Sequence, residues 1–251
     1  LAFGERRFDR IGGVKRRLLG AAAPRQSRLD DERVASIDRG RAAHGGVKVA
    51  LDLDGVLANF VEAFAGLAKD ITGVQLPTHP DDCAHWDFDK EMLGEEQSRE
   101  VWKAIRVSGT FWETVPALVG RDVFERINRL SLSANVFFLT SRSGKLPMQQ
   151  TQRWLIGHGI SLPTVICCED KGKIAHAIGI QMALDDCLAQ AVSLRNACGP
   201  TVAIYVLDRP YNREPATRHE KIALQFLPRV ASVDEFLNDA ETQNGWSMQG
   251  R

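Results

Sequence analysis

An apolar run that ends in two carboxylates and a glycine constrains this chain more than any other segment. Residues 49–57 are Val-Ala-Leu-Asp-Leu-Asp-Gly-Val-Leu. Because side chains alternate along a strand, Asp52 and Asp54 fall on the same side. Two such carboxylates repel each other unless a cation or a shared proton lies between them, and Gly55 allows the backbone a sharp turn close to a ligand. The pattern predicts a metal-assisted site for anions; the alternative is an ordinary Asp-rich turn at a strand end.

Three later apolar runs also end in polar side chains. They cover residues 135–139, 164–168 and 181–184. In open parallel α/β sheets, ligands bind outside the carboxyl ends of the strands. We therefore expect the polar groups that follow these runs to meet Asp52 and Asp54. In chain order they are Thr140, Ser141, Arg142, Lys171, Asp185 and Asp186.

The spacing of these runs predicts the architecture. After Thr140 strand-like runs alternate with helical patterns, which indicates an α/β fold with a doubly wound, Rossmann-like parallel sheet. A simple strand–helix–strand unit needs about 30 residues, whereas Asp54 and Thr140 are 86 positions apart. We therefore expect a small helical cap inserted after the first strand, at residues 60–114, within a core of residues 47–59 and 115–240. A packing lobe without a substrate role is the alternative.

Charge divides the chain into two parts. The 251 residues include 32 Lys and Arg and 32 Asp and Glu, and this balance gives no general attraction to nucleic acid. Residues 1–46 are nevertheless basic, with 11 Lys and Arg against 6 Asp and Glu. We expect this head to be a solvated, poorly ordered extension, and contact with nucleic acid or another anion is the less favoured alternative. Residues 241–251 are expected to form a polar tail.

Cysteine usage and hydropathy bear on location. The five cysteines form no Cys-x-x-Cys pair, which favours free thiols in a reducing compartment. No apolar run is long enough to cross a membrane. The expected location is the cytoplasm, without a membrane partner.

The strand-end motifs, taken in order, resemble the signature motifs of the haloacid dehalogenase-like phosphohydrolase superfamily. The resemblance covers roughly residues 47–210 and rests on Asp52-Leu-Asp54-Gly-Val, Thr140, Lys171 and Asp185-Asp186. Residues 52–60 and 108–113 are most similar to its 5′(3′)-deoxyribonucleotidase branch, the cytosolic type C deoxypyrimidine nucleotidases. Arg142 departs from the proline usual there and looks more like the 3′-phosphatase domain of phage polynucleotide kinase–phosphatases.

The resemblance implies a division of labour among the charged residues. Asp52 would be the nucleophile that forms an aspartyl-phosphate, Asp54 would carry the proton, and Lys171 would offset the negative charge. Mg²⁺ would be held by Asp52, Asp186 and the main-chain oxygen of Asp54, with Asp185 in support. The sequence leaves open which member of the Asp185-Asp186 pair ligates the metal, because neighbouring strand residues point in opposite directions.

The remaining expectations concern the substrate. Thr140, Ser141 and Arg142 would donate to phosphate oxygens, although Thr140 could instead cap the next segment. By the resemblance, the residues that line a base pocket are Phe60, Trp86 and Phe111. The expected function is Mg²⁺-dependent release of phosphate from small phosphomonoesters, above all nucleoside monophosphates. The alternatives are a 3′-phosphatase that processes nucleic-acid ends and an inactive fold that serves as a binding module.

Overall fold

A computed structural model describes residues 46–244 of the chain. The predicted basic extension lies outside the described residues, apart from residue 46, and so do residues 245–251 of the predicted tail. Within the described part, no helix is both long enough and apolar enough to cross a membrane.

Six parallel strands form the centre of the fold, in the order β3-β2-β1-β4-β5-β6. The sheet order reverses at β1, which pairs with β2 on one side and with β4 on the other. The carboxyl end of β1 is therefore the topological switch point, where ligands of such sheets bind. The predicted doubly wound α/β class is confirmed. The strands are β1 (Lys48–Leu51), β2 (Asn135–Thr140), β3 (Thr164–Cys167), β4 (Met182–Asp185), β5 (Ala203–Leu207) and β6 (Arg229–Val230).

Helices cover both faces of the sheet. Strand residues alternate between two apolar cores, with Val49 and Leu51 in one and Ala50 in the other. This two-sided burial explains the nearly continuous apolar runs of the strands. The described helices are α1 (Phe60–Thr72), α2 (Phe88–Val107), α3 (Arg121–Leu130), α4 (Pro147–Gly157), α5 (Lys171–Ile178), α6 (Leu188–Cys198), α7 (Arg218–Ala223) and α8 (Val233–Gln243).

Local signals set several helix ends. Helix α1 begins at Phe60, because the Asn59 side chain accepts a hydrogen bond from the backbone N–H of Glu62. Helix α2 is interrupted at Gly94, whose φ is 74°. Helix α8 continues past the expected start of the polar tail to Gln243, since burial of Ala240 anchors its last turns.

The long connection from β1 to β2 contains α1, α2 and α3. Its aromatic residues pack on one another: the Phe60 ring lies 5.4 Å from that of Trp102 and 5.8 Å from that of Trp112, centroid to centroid. The aromatic side chains tie α1, α2 and the turn at Phe111–Glu113 into one cluster. A role of this connection as a substrate-covering cap stays a prediction.

Candidate active site

The carboxyl ends of β1, β2 and β4 and the start of α5 open into one cavity of about 480 Å³. The parallel strand order brings these ends together, as the sequence pattern predicted for polar groups that directly follow parallel strands. The polar side chains from these ends that line the cavity are Asp52, Asp54, Thr140, Ser141, Arg142, Lys171 and Asp186.

Lys171 lies between two carboxylates at the centre of the site. Its ammonium nitrogen is 2.8 Å from Asp52 Oδ1 and 2.8 Å from Asp185 Oδ2. Lys171 is the first residue of α5, and Asp170 fixes this start by accepting a hydrogen bond from Lys173 N. Burial opposes the charged form of Lys171, but Asp185 and Asp52 outweigh burial and raise its pKa. The lysine therefore stays protonated and holds both carboxylates.

Asp185 and Asp186 both reach the cluster, although the sequence suggested that they point in opposite directions. Strand β4 ends at Asp185, so strand alternation does not apply to Asp186. Both oxygens of Asp185 have partners: Oδ2 pairs with Lys171, and Oδ1 accepts a hydrogen bond from Cys187 N at 2.9 Å. Asp186 Oδ2 accepts a hydrogen bond from the Tyr211 hydroxyl, whereas its buried Oδ1 has no partner among the described residues. Of the two, Asp186 is the one with an oxygen left for a ligand.

The cluster carries more negative than positive charge. Ligand oxygens of Asp52, Asp185 and Asp186 all lie within 4.8 Å of one another, and Lys171 contacts two of the three, Asp52 and Asp185. Burial raises the pKa of Asp52 well above its usual range; Lys171 opposes this, and the two neighbouring carboxylates add to it. Burial, with Asp185, likewise raises the pKa of Asp186 to about 7. Crowded, dehydrated carboxylates of this kind suit a hard divalent cation.

Gly55 makes the close approach of Asp186 possible. Its φ is +81°, and a β-carbon built there would lie 2.0 Å from Asp186 Oδ2. Any side chain would collide with the carboxylate that has the free oxygen. The glycine after the two strand-end aspartates is therefore required both by backbone conformation and by space.

Arg142 lines the cavity, and its guanidinium group pairs with Asp54. Its Nη2 lies 2.8 Å from Asp54 Oδ1, and its Nε lies 3.0 Å from Oδ2. The Arg142 side chain is fully buried, whereas that of Asp54 is 23% exposed. Arg142 thus forms a bidentate pair with the acid–base candidate, and its expected contact with phosphate stays a prediction.

Thr140 and Ser141 differ in exposure. Thr140 is fully buried, and its hydroxyl accepts a hydrogen bond from Arg142 N at 3.3 Å. Ser141 is exposed, and both residues line the cavity. The alternative role expected for Thr140, a local cap, is thus partly realised.

Most of the aromatic part of the cavity comes from the connection between β1 and β2. Of the expected pocket residues, Phe60 and Trp86 line the cavity. Phe111 does not: it is 9% exposed and packs edge-on against Phe60 and Trp112, because the turn Phe111–Glu113 directs it into the aromatic cluster. The further aromatic lining residues are Phe88, Trp102, Trp112 and Tyr211.

Two residues beyond β5 that the sequence analysis did not select also reach the site. Tyr211 donates its hydroxyl to Asp186, and Arg209 donates through Nη2 to the Gly55 carbonyl at 2.9 Å. Both lie in Asp208-Arg-Pro-Tyr-Asn212, directly after the apolar strand β5. The strand-end rule that selected the other site residues would have found this segment too.

Comparison with known proteins agrees with this geometry. The family described as 5′ nucleotidase, deoxy (pyrimidine), cytosolic type C protein matches residues 46–221. No curated protein sequence matches the chain.

Two solved structures share the fold. A haloacid dehalogenase family hydrolase from Deinococcus radiodurans, with bound phosphate and sodium, has a TM-score of 0.51 at 14% identity, over 83% of this chain and 100% of its own. A haloacid dehalogenase-like hydrolase from Burkholderia xenovorans has a TM-score of 0.51 at 12% identity, over 78% of this chain and 98% of its own.

The family match spans more than half of the chain and includes every strand end that contributes to the cavity. The described strands and helices have the architecture of the two solved hydrolases. The chain therefore belongs to the cytosolic type C deoxypyrimidine 5′-nucleotidase family, a family of phosphatases, and has the fold of haloacid dehalogenase-like hydrolases.

Proposed function

We propose that this protein is a Mg²⁺-dependent 5′(3′)-deoxyribonucleotidase that releases phosphate from nucleoside monophosphates through an aspartyl-phosphate on Asp52. The observation that carries the proposal is the Asp52–Lys171–Asp185 arrangement beside Asp186, in a chain of a nucleotidase family. The cofactor would be held by Asp52 and Asp186, with the Asp54 main-chain oxygen as a further ligand. When bound, Mg²⁺ would neutralise the carboxylates and the phosphate charge.

The reaction takes place in two displacements. A carboxylate oxygen of Asp52 attacks phosphorus, the bond from phosphorus to the nucleoside oxygen breaks, and Asp54 gives that oxygen its proton. Water then attacks the aspartyl-phosphate and loses a proton to Asp54, and the bond between Asp52 and phosphorus breaks. Lys171 restrains Asp52 by its 2.8 Å contact and places a positive charge beside the nucleophile.

Thr140, Ser141 and Lys171 are the groups proposed to bind the phosphate. The exposed Ser141 hydroxyl lines the cavity, and the start of α5 at Lys171 provides the positive end of a helix dipole. The phosphate would thus be bound by neutral hydroxyls and one lysine.

The rest of the cavity supports a small aromatic leaving group. Aromatic rings such as Phe60 can stack on a base, and 480 Å³ is within the usual size of a small-molecule site. Near these rings the cavity is lined by Asp87, Asp89 and Lys90. Because two of these three charges are negative, the lining favours a mononucleotide over the polyanionic end of a nucleic acid.

Asp89 supports the aromatic wall from behind. Its Oδ2 accepts hydrogen bonds from Ser98 at 2.5 Å and from Trp102 Nε1 at 2.9 Å. These bonds cross the interruption of α2 at Gly94 and fix the Trp102 ring against Phe60. The stacking surface is therefore restrained before a base arrives, which lowers the entropy cost of binding.

The decisive experiment is a phosphate-release assay on three substrate classes: nucleoside monophosphates, p-nitrophenyl phosphate and 3′-phosphorylated oligonucleotides. We expect turnover with Mg²⁺, loss of turnover after exhaustive chelation and highest kcat/KM for a mononucleotide. Asp52→Asn should lower kcat by at least about 10⁴-fold, since removal of a nucleophile has effects of that order. Asp70→Asn, the same change at an exposed carboxylate on α1, is the control.

Each arm has an outcome that contradicts the proposal. Full activity after chelation removes the metal role, and normal turnover by Asp52→Asn, in a preparation checked for deamidation, assigns the nucleophile elsewhere. Preference for phosphorylated oligonucleotides would identify an end-processing phosphatase instead. Lack of turnover of any substrate would leave the inactive binding module.

A further inference from the structure

Arg142 is held on Asp54 by three short contacts and is withdrawn from solvent. Its Nη2 lies 2.8 Å from Asp54 Oδ1, and its Nε lies 3.2 Å from Oδ1 and 3.0 Å from Oδ2. We infer that Arg142 is a positioning residue, which fixes the acid–base carboxylate of Asp54 for both displacements and does not bind the transferred phosphoryl group. The inference rests on the proposed function, because it assigns the proton transfers to Asp54.

The guanidinium group is itself restrained on its other sides. Nη1 donates to the Trp112 carbonyl at 3.4 Å and to Thr151 Oγ1 at 3.3 Å. The guanidinium carbon lies 4.9 Å from the centroid of the Trp112 ring and 5.5 Å from that of Trp154. A planar, rigid fork that is stacked and hydrogen-bonded in this way has one accessible orientation. Reaching a phosphate would require breaking several of these contacts.

The partners of Arg142 are fixed in turn. Trp112 N donates to Gln150 Oε1 at 2.9 Å, and Trp154 Nε1 donates to the Val115 carbonyl at 2.6 Å. Gln150 is completely buried on α4. The orientation of Asp54 is therefore set through Arg142 by the turn that leads out of α2 and by helix α4.

The charge arrangement supports the same assignment. The positive charge of Arg142 is neutralised by Asp54, whereas Lys171 contacts the nucleophile Asp52 directly. A short charge-assisted pair keeps the carboxylate in one rotamer. This restraint matters because a catalytic group displaced by about 1 Å can lose about 100-fold in rate. Arg142 thus positions Asp54 for the proton transfers. Phosphate binding is left to Lys171 and the hydroxyls of Thr140 and Ser141.

The test compares Arg142→Gln and Arg142→Lys with Arg121→Gln, which removes an exposed arginine–glutamate pair within α3 and should leave activity unchanged. Substrates are a nucleoside 5′-monophosphate and p-nitrophenyl phosphate, with Mg²⁺ present. We expect Arg142→Gln to lower kcat for the nucleotide about 100-fold, while KM and the inhibition constant of inorganic phosphate change less than about threefold. Arg142→Lys should rescue little, because it keeps the charge but loses the fork.

A pre-steady-state readout separates the two displacements. Nitrophenolate leaves without a proton, but hydrolysis of the aspartyl-phosphate still needs Asp54. Arg142→Gln should therefore show a stoichiometric burst of nitrophenol followed by slow turnover. In an Asp54→Asn background, adding Arg142→Gln should change kcat no further, since the arginine acts through Asp54.

The opposite pattern overturns the inference. If Arg142→Gln raises KM and the phosphate inhibition constant tenfold or more at unchanged kcat, Arg142 binds phosphate. Should Arg142→Gln fail to fold, the isosteric Thr151→Val removes one restraint on the arginine; reduced kcat at constant KM supports the inference, and unchanged kcat overturns it. If the wild-type protein releases no phosphate, the proposed function is wrong. If the wild type is active and Arg142→Gln changes only KM, the proposed function stands and only the role of Arg142 is wrong.

Discussion

The negative charge of Asp186 should destabilise the metal-free protein in a pH-dependent way. Asp186 is 1% exposed, and its Oδ1 has no partner among the described residues. Burial raises its pKa from 3.8 to about 7; Asp185 adds to this, while Tyr211, Lys171 and Arg209 oppose it. Asp186→Asn removes the charge while keeping the size and an acceptor for Tyr211.

The sign and size follow from proton linkage. Below about pH 4, Asp186 is protonated in both the folded and the unfolded protein, so its ionisation does not change the free energy of unfolding. Between about pH 4 and pH 7 only the unfolded state loses the proton, so stability falls as pH rises. A rise in pKa from 3.8 to about 7 is about 3 units. At 1.36 kcal/mol per unit, ionised Asp186 lowers the free energy of unfolding by about 4 kcal/mol in total. About 2–3 kcal/mol of it should appear between pH 5 and pH 8.

Urea unfolding of the metal-free protein, followed by tryptophan fluorescence, measures this difference. The free energy of unfolding of Asp186→Asn minus that of wild type should grow by about 2–3 kcal/mol from pH 5 to pH 8, at equal m-values. Any constant packing effect of asparagine cancels in this comparison. Asp70→Asn, at an exposed position, should show no such trend.

Addition of Mg²⁺ provides the second half of the experiment. Wild type at a Mg²⁺ concentration of 100 Kd should gain about 2.7 kcal/mol, and Asp186→Asn should gain much less at the same concentration. A difference between wild type and variant that is independent of pH would refute the electrostatic reasoning. Equal stabilisation of both proteins by Mg²⁺ would remove Asp186 from the metal site.

Two further predictions concern the cavity wall and the glycine of the first motif. Phe60→Ala should lower kcat/KM for a nucleotide roughly 5- to 150-fold, since a base–aromatic contact is worth about 1–3 kcal/mol. The same variant should leave kcat/KM for p-nitrophenyl phosphate unchanged. Phe111→Ala should instead lower the melting temperature and reduce kcat/KM for both substrates equally. Kinetics and melting curves decide, and equal losses of both substrates in Phe60→Ala would contradict a base-stacking role. Gly55→Ala should lower the free energy of unfolding by about 1–3 kcal/mol, because the backbone φ at this position is positive. It should also weaken Mg²⁺ binding, measured by calorimetry, because the new methyl group would displace Asp186. Wild-type affinity for Mg²⁺ would show that the carboxylate moves without an energetic penalty.

Sequence alone determined the fold class and the principal charged groups of the site. Buried strands have nearly continuous apolar runs, and polar residues directly after them must lie at the carboxyl edge of a parallel sheet. That reasoning placed Asp52, Lys171 and Asp186 near one another before any distance was known. These signals are local, because each needs only a short run and its end.

The tertiary structure decided which side chains pair and which surround the cavity. Arg142 contacts Asp54 across 88 positions of the chain, and Tyr211 reaches Asp186 from beyond β5. Phe111 packs into the aromatic cluster, while Trp112, its neighbour, stacks on Arg142. Such choices depend on distances and competing partners between segments remote in sequence. No local pattern encodes them, since the same arginine at a strand end could bind a phosphate or hold a carboxylate.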